Sequence, residues 1–330
     1  MRAIVVREFG GPEVLRLEEL PDPVAGPGQL LVQVAAAGIQ FVETVRRAGL
    51  LRDSSLTVPK SLPWIPGREV AGEVIAVGEG VDRNWIGRRV SGQTNGFGGG
   101  YAELALVDAD SAYRLTDELG CPEAVSLLGT GRTALGLVES AEVGKGDTLL
   151  VESAAGAVGV LSMQLARAAG ADRIIGLARG PEKLAIARDF GADAAIDYSD
   201  DAWPDQVRAV APGGVNVVFD AVGGRIGAAA FALLADRGRF VIFGFSDGAA
   251  TKFDPARAAE RGINVLSYFG PPTGPRSPEA HLRQSRQVFA AAPEGRLRTF
   301  VGRRFPLAQA AEAHAAIAAR KTVGKTVLEP

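Results

Sequence analysis

The sequence contains little of what metal sites, disulfides and polyanion binding require. Its 330 residues include one cysteine and two histidines, so no intrachain disulfide can form and soft metal ligands are scarce. The formal net charge of −2 argues against a protein that neutralises nucleic-acid phosphates. No apolar run approaches the roughly 18 residues that span a bilayer, and the first residues lack the features of a secretory signal. These absences predict a cytoplasmic protein with neither a membrane nor a nucleic-acid partner.

The chain is long enough for two domains, and its pattern changes once. Up to about residue 115, short β-rich runs such as "QLLVQVAAAGI" alternate with turns, which predicts a barrel-like domain with one helical candidate, "FVETVRRAGL". Beyond it, apolar strands alternate with amphipathic helices as far as "INVLSYFG", which predicts an α/β doubly wound parallel sheet of about six strands. The tail from Pro271 is too short for a domain of its own, so we expect it to complete the first one.

A turn of small residues joins the strand "TLLVE" to the helix that follows it. At Gly156 the backbone can approach a diphosphate closely, and at Gly159 the helix can pack against the strand. The helix N-terminus adds free N–H groups and the positive end of a dipole. The turn therefore predicts a nucleotide site, the alternative being a tight turn without a ligand. The predicted contacts are Ala155, Gly156, Ala157, Val158 and Gly159.

The end of the next strand bears on which nucleotide is bound. A sheet of this kind that binds NAD usually carries an Asp or Glu there, about 20 residues past the glycines. In "IIGLARGPEK" the strand ends instead at Arg179, and Lys183 follows in the next helix. Arginine binds a 2′-phosphate well, whereas an acid repels it, so the pattern favours NADP over NAD. The alternative is that both are solvated surface charges.

The ordered set of motifs resembles the medium-chain dehydrogenase/reductase family, and within it the zinc-independent quinone oxidoreductase branch. The resemblance implies a GroES-like β-barrel catalytic domain, 1–122 and 269–330, split around a Rossmann NADP-binding domain, 123–268, with the active site in the cleft between them. It also implies a homodimer, formed through an edge strand such as "RFVIFGF". The motifs that carry it are "IPGREVAGEVIAVGEGV" (65–81), "GGYAEL" (99–104), "GTGRTA" (129–134), "ESAAGAVG" (152–159), "FDAVGG" (219–224) and the segment 305–330.

The resemblance extends the expected cofactor site. The family's 2′-phosphate contacts match Lys183, Tyr198 and Arg320, and a C-terminal glycine–lysine pair near the cofactor places Lys325 beside it. The expected nicotinamide contacts are Thr133, Phe243, Gly244, Phe245, Tyr268, Phe269 and Gly270, and Val222 is a further expected cofactor contact.

The zinc ligands of related enzymes are replaced in this chain. The positions that match a catalytic Cys and a His hold Gln40 and Arg68, neither of which is among the Cys, His and carboxylate ligands that catalytic zinc requires. Glu69 remains, and we expect a buried carboxylate paired with an arginine. The sequence therefore predicts no metal.

Without zinc to polarise an oxygen, hydride transfer needs an acceptor that is already electrophilic, such as a quinone or an α,β-unsaturated carbonyl. Family quinone reductases commonly carry an Asn and a Tyr at positions that match Gln40 and Val45 here. Gln40 is therefore the candidate catalytic residue, as a hydrogen-bond donor to the acceptor oxygen; alternatively it bonds to local backbone. The candidate pocket residues, each of which is alternatively plain core, are Phe41, Val45, Trp64, Phe97 and Phe245.

Two other functions remain open. One is a non-catalytic NADPH-binding sensor or crystallin-like protein, which the loss of the phenol at Val45 allows. The other is an enoyl-thioester reductase. A short-chain dehydrogenase is disfavoured because no tyrosine of the chain has a lysine four residues further on.

Overall fold

The computed structural model describes residues 1–50, 61–94, 98–268 and 277–330. The chain divides into two compact units, unit 1 with Met1–Gly129 and Phe289–Pro330, and unit 2 with Thr130–Val288. The functional domain bounds given above stay a prediction. Within these ranges, no helix is long and apolar enough to cross a membrane.

The elements follow the chain in this order. Residues 1–129 contain the strands and helices β1 (Arg2–Val5), β2 (Arg16–Glu19), β3 (Gln29–Ile39), α1 (Phe41–Arg47), β4 (Glu69–Val77), β5 (Arg89–Gln93), β6 (Leu104–Asp108), β7 (Tyr113–Arg114) and α2 (Cys121–Leu127). The next part contains α3 (Gly129–Ser140), β8 (Thr148–Glu152), α4 (Ala157–Ala168), β9 (Arg173–Ala178), α5 (Pro181–Asp189), β10 (Ala194–Asp197), α6 (Trp203–Val210), β11 (Val215–Asp220), α7 (Gly224–Ala232), β12 (Leu234–Ile242), α8 (Pro255–Glu260) and β13 (Asn264–Ser267). The last part contains α9 (Pro278–Ala291), β14 (Val301–Pro306), α10 (Ala310–Ala318) and β15 (Lys325–Glu329).

Unit 1 is built on a seven-stranded sheet. Its order is β14-β15-β3-β4-β5-β7, and β6 also pairs with β3. The long strand β3 buries apolar residues such as Leu30 and Val32 in the core, together with Val74 of β4 and Leu328 of β15. Because β4 and β15 both run antiparallel to β3, the ends of three strands meet at one edge of the barrel.

Unit 2 is a six-stranded parallel sheet in the order β10-β9-β8-β11-β12-β13. Leu149, Leu150 and Val151 of β8 are completely buried, as expected for a strand covered on both faces. The predicted α/β fold, with a GroES-like domain and a doubly wound six-stranded sheet, is confirmed. The chain reverses direction across the sheet between β8 and β11, where such folds bind nucleotides.

One prediction about this sheet is wrong. The segment "RFVIFGF" was expected to lie at an edge, but its strand β12 lies between β11 and β13. The edges of the described sheet are β10 and β13. Apolar content could not distinguish the two positions, because an edge strand of a covered parallel sheet can be as apolar as an interior one.

Candidate functional site

The cradle turn connects β8 to α4 in unit 2. Ser153 adopts a left-handed conformation, with φ of 52°, and its carbonyl accepts the N–H of Gly156 at 2.8 Å. A Cβ at Gly159 would lie 2.5 Å from the Ser153 oxygen and 2.8 Å from the Ala154 Cα, so only glycine lets the first turn of α4 pack this closely. The N-terminal N–H groups of α4 and the small side chains of the turn fit a diphosphate.

Two carboxyl groups meet under this turn. The register pairs Val151 of β8 with Phe219 of β11, so the following residues, Glu152 and Asp220, are neighbours. Both are completely buried. Burial and the Asp220 carboxylate raise the pKa of Glu152 well above its usual value. The Glu152 side chain therefore stays protonated to a higher pH than an exposed glutamate does.

This acid pair holds the loop that follows β11. Glu152 Oε2 accepts the backbone N–H groups of Ala221 and Val222 at 3.1 and 2.8 Å. Asp220 accepts the N–H of Gly223 at 2.8 Å and the hydroxyl of Thr251 at 2.5 Å. Sequence reasoning missed both acids. The available signal was a carboxylate at the end of each of two apolar strands that are neighbours in a doubly wound sheet.

The strand ends beyond the cradle carry the basic residues expected to select NADP. Arg179 directly follows β9, and its guanidinium lies 5.6 Å from the centre of the Tyr198 ring, which follows β10. Asp197 Oδ2 accepts the N–H of Gly180 at 2.8 Å. Burial alone would raise the pKa of Asp197, but hydrogen bonds from Ser199 and Gly180, together with Arg179, lower it. The Asp197 carboxylate is thus occupied by hydrogen bonds from Gly180 and Ser199, in the loops that follow β9 and β10.

The other expected 2′-phosphate contacts are distributed as follows. Lys183 is the third residue of α5, in the first turn after Arg179. Arg320 lies in unit 1, two residues after the end of α10, in a left-handed conformation with φ of 57°. Contact of these side chains with a 2′-phosphate stays a prediction.

The expected nicotinamide contacts lie where β11 and β12 end. The N–H groups of Phe243 and Gly244 donate to the Asp220 carbonyl at 2.9 and 3.1 Å. A Cβ at Gly244 would overlap the Ala221 carbonyl oxygen, so the two loops pack backbone against backbone. Phe245 is half-buried beside them, and Val222 is buried. The structure brings these predicted residues together.

Three further expected contacts are Tyr268, Thr133 and Lys325. The Tyr268 hydroxyl packs so closely on α3 that a Cβ at Gly136 would overlap it, and Thr133 is half-buried on the same helix. Lys325 is buried in unit 1, as described below. Phe269 and Gly270, like the pocket candidate Phe97, lie outside the described residues.

Unit 1 contains a buried chain of polar groups around the candidate catalytic residue. Gln40 Nε2 donates to Glu69 Oε1 at 2.5 Å, and Lys325 Nζ donates to Glu69 Oε2 at 2.7 Å. The Glu69 side chain is completely buried, and that of Lys325 is 2% exposed. The prediction that Glu69 pairs with an arginine is corrected, because the ion pair is made with the lysine that begins β15.

A second buried group anchors the helix that starts after Gln40. Tyr101 donates its hydroxyl to Glu43 Oε2 at 2.5 Å, and the same hydroxyl lies 3.1 Å from His314 Nε2. Burial raises the pKa of Glu43, although Tyr101 and Arg46 act against it. Burial and the Glu43 carboxylate raise the pKa of Tyr101 well above its usual value. Burial, reinforced by a nearby arginine, lowers the pKa of His314 to about 3, so its ring is neutral.

The remaining pocket candidates differ in exposure. Phe41 is 39% exposed, whereas Val45 and Trp64 are buried. Trp64 belongs to the core cluster of unit 1. A substrate-contacting role for these residues stays a prediction. Across the parts of the chain that the structure describes, no three His, Cys, Asp or Glu side chains are grouped as metal ligands would be.

Two family models match this chain. The model described as an alcohol dehydrogenase GroES-like domain matches residues 26–117, in unit 1. The model described as a zinc-binding dehydrogenase matches residues 157–281, which begin at α4.

Curated relatives match along almost the whole chain. A quinone oxidoreductase of Pseudomonas aeruginosa is 33% identical over 324 residues, which cover 98% of this chain and 97% of the relative. A 2-haloacrylate reductase of Burkholderia is 31% identical, covering 99% of this chain and 98% of the relative.

Solved structures agree with the sequence matches. A mycobacterial protein complexed with NADPH has a TM-score of 0.88 and 36% identity, with 100% of both chains covered. An Escherichia coli quinone oxidoreductase complexed with NADPH has a TM-score of 0.89 and 29% identity, and an NAD-dependent alcohol dehydrogenase has the same two values, each covering 100% of both chains. The chain therefore belongs to the zinc-independent quinone oxidoreductase branch of the medium-chain dehydrogenase/reductase family.

Proposed function

We propose that this protein is an NADPH-dependent oxidoreductase that reduces quinones or α,β-unsaturated carbonyls without a metal. The observation that carries the proposal is the pairing of the cradle at Gly159 with a basic strand end at Arg179. An NAD-dependent alcohol dehydrogenase has a fold as similar as that of the NADPH complexes, so the choice of cofactor rests on residues rather than fold. Arg179 above the Tyr198 ring offers a cation where NAD-binding sheets of this kind carry an acid.

Different residues bind different parts of the proposed cofactor. The cradle takes the diphosphate, since a side chain at Gly159 would fill the space that the turn leaves. Arg179, Lys183 and Tyr198 of unit 2 take the 2′-phosphate. The loops held by Glu152 and Asp220 border the nicotinamide. When bound, the cofactor supplies the hydride, and the protein orients it and excludes water.

The acceptor class follows from what replaces the zinc ligands. Gln40 and Arg68 cannot polarise an alcohol as zinc does, so the acceptor must already be electrophilic. The Gln40 amide donates a hydrogen bond to the oxygen on which negative charge develops, and solvent supplies the proton. Relatives described as quinone oxidoreductase and as 2-haloacrylate reductase support acceptors whose double bond is conjugated to a carbonyl or carboxyl group.

A steady-state screen tests the proposal. NADPH and NADH are each combined with 1,4-benzoquinone, a 2-alkenal, a 2-haloacrylate and an enoyl thioester, with and without EDTA. We expect NADPH-dependent turnover of the quinone or the alkenal that EDTA leaves unchanged. Turnover of the thioester alone would identify an enoyl-thioester reductase, and tight NADPH binding without any turnover would identify a binding protein. A clear preference for NADH would contradict the roles given to Arg179 and Lys183.

The proposal also includes a homodimer and a cytoplasmic location. Dimerisation through a sheet edge would use β13 or β10 rather than β12. Light scattering coupled to size-exclusion chromatography checks the oligomeric state. The location rests on the single cysteine of the sequence, which is typical of a reducing compartment.

A further inference from the structure

The end of strand β3 brings together three polar residues from distant parts of the chain, the half-buried Gln40 and the buried Glu69 and Lys325. Gly38 is paired with Glu69 of β4, and Ile39 is paired with Thr326 of β15. Gln40, the next residue, therefore lies between the first residue of β4 and the first residue of β15. Two antiparallel pairings thus fix which side chains surround Gln40.

Each oxygen of the Glu69 carboxylate has its own donor. Oε1 accepts from Gln40 at 2.5 Å, and Oε2 accepts from Lys325 at 2.7 Å. A buried ion pair is a poor source of stability, because the cost of removing both charges from water offsets their attraction. The Glu69–Lys325 pair therefore has to be explained by something other than stability, and the hydrogen bond from Gln40 to Glu69 suggests that the pair acts on Gln40.

Two glycines pack closely against this group. A Cβ at Gly38 would lie 2.7 Å from Lys325 Cε, and a Cβ at Gly129 would lie 2.9 Å from Gln40 Nε2 and overlap Glu69 Oε1. Backbone therefore covers the hydrogen bond between Gln40 and Glu69 on one side. In such a water-poor site the hydrogen bond holds the amide in one orientation.

A glutamine amide can face either way, but a carboxylate accepts hydrogen bonds and gives none. Glu69 thereby directs the NH₂ end of Gln40 inward and engages one of its two hydrogens. A bare carboxylate here would repel the negative charge that develops on an acceptor oxygen. Lys325 cancels that charge, so the group presents an oriented donor without a net negative charge.

We propose that Glu69 and Lys325 are positioning residues that orient the Gln40 amide, so that its second N–H donates to the acceptor oxygen. This inference rests on the proposed function, because it assumes an acceptor that gains negative charge on oxygen. It assigns to Glu69 an effect on the acceptor step rather than on NADPH affinity, and to Lys325, which the family resemblance places near the cofactor, the role of neutralising Glu69.

A double-mutant cycle tests the inference. We expect Gln40→Ala to lower kcat for the quinone by about 100-fold, the scale of losing one oxyanion donor. Glu69→Gln should lower kcat by about tenfold in the wild-type background and by less than about twofold in the Gln40→Ala background, because partners in one network are not additive. In these variants the Kd of NADPH, measured by fluorescence titration, should change by less than about twofold, because NADPH binding does not depend on the hydrogen bond to the acceptor oxygen.

Controls separate this role from a structural one. Glu103→Gln removes a carboxylate from an exposed ion pair with Arg2 in the same unit and should leave kcat unchanged. If Glu69→Gln does not fold, the neutral pair Glu69→Gln/Lys325→Met replaces it, because it leaves no unpaired buried charge. Equal losses of kcat from the Glu69 change in both backgrounds, or no loss in either, would overturn the inference. Wild-type protein without turnover on any acceptor would overturn the proposed function instead.

Discussion

The buried carboxyl of Glu152 makes the stability of this protein depend on pH. Its side chain is completely buried, its Oε2 is held by two backbone N–H groups, and Asp220 lies beside it. Burial and the Asp220 carboxylate raise the pKa of Glu152 well above its usual value. In the unfolded chain the same carboxyl ionises at its ordinary pKa, so the native state binds one proton more over the interval between the two values.

The sign and size of the effect follow from that difference. A carboxyl whose pKa is higher in the native state than in the unfolded state adds to the free energy of unfolding. This contribution is fully present below the pKa of the unfolded state and is lost as the pH rises towards the pKa of the native state. The loss is about 1.4 kcal/mol per pH unit for one proton. Replacing Glu152 by Gln keeps an oxygen for the N–H groups of Ala221 and Val222 and adds a donor towards Asp220. Glu152→Gln should therefore flatten the pH profile and be more stable than wild type at neutral pH.

Urea unfolding followed by circular dichroism, from about pH 5 to about pH 8, measures the slope. The difference in unfolding free energy between Glu152→Gln and wild type should grow in favour of the variant as the pH rises. Glu103→Gln is the matched control, because hydrogen bonds from Arg2 lower the pKa of Glu103 and its profile should run parallel to that of wild type in this range. A Glu152→Gln profile parallel to that of wild type would refute the reasoning.

Three further outcomes are expected. Arg179→Glu should raise the KM for NADPH by about tenfold or more while leaving the KM for NADH within about twofold, since it places an acid beside the 2′-phosphate. The control Arg208→Glu, at an exposed helix position, should change neither KM. An equal effect of Arg179→Glu on both cofactors would contradict the assignment. Gly159→Ala should weaken NADPH binding in a titration and lower the Tm, because the added Cβ has no room. Gly156→Ala should lower the Tm less, because its Cβ would lie 3.1 Å from the nearest atom. Equal losses of Tm in the two variants would count against this packing. Tyr101→Phe should lower the unfolding free energy by about 1–3 kcal/mol, because it removes the hydroxyl that contacts the buried side chains of Glu43 and His314. Urea denaturation that shows no change would argue against these hydrogen bonds.

The fold and the cofactor cradle were predictable because their signals are local. Alternation of apolar strands and helices identified the parallel sheet, and the spacing from Gly156 to Gly159 located the turn before α4. Arg179 is predicted as a cofactor contact from its place at the end of a strand, and Tyr198 from a family pattern; the structure places the two side by side, and their contact with a cofactor stays a prediction. Each signal spans a few residues and depends on the geometry of one strand and one turn.

The polar groups that surround these residues depend on strand pairing instead. Lys325 and Glu69 are separated by 256 positions, and Glu152 and Ala221 by 69, so no local pattern indicates that they meet. The sequence does show that Glu69 begins a strand, but β15 selects its partner. The expectation of an arginine there was wrong for that reason.

The seven-stranded sheet of unit 1 also sets an order of events during synthesis. The ribosome makes all of Thr130–Val288 after β3 and before β15, so unit 2 is available to fold while β3 still lacks one neighbour. Until β15 arrives, the β3 edge stays open to other strands, and Glu69 has no ammonium partner. The buried ion pair between Glu69 and Lys325 is thus among the last contacts to form, after the whole of unit 2 has been synthesised.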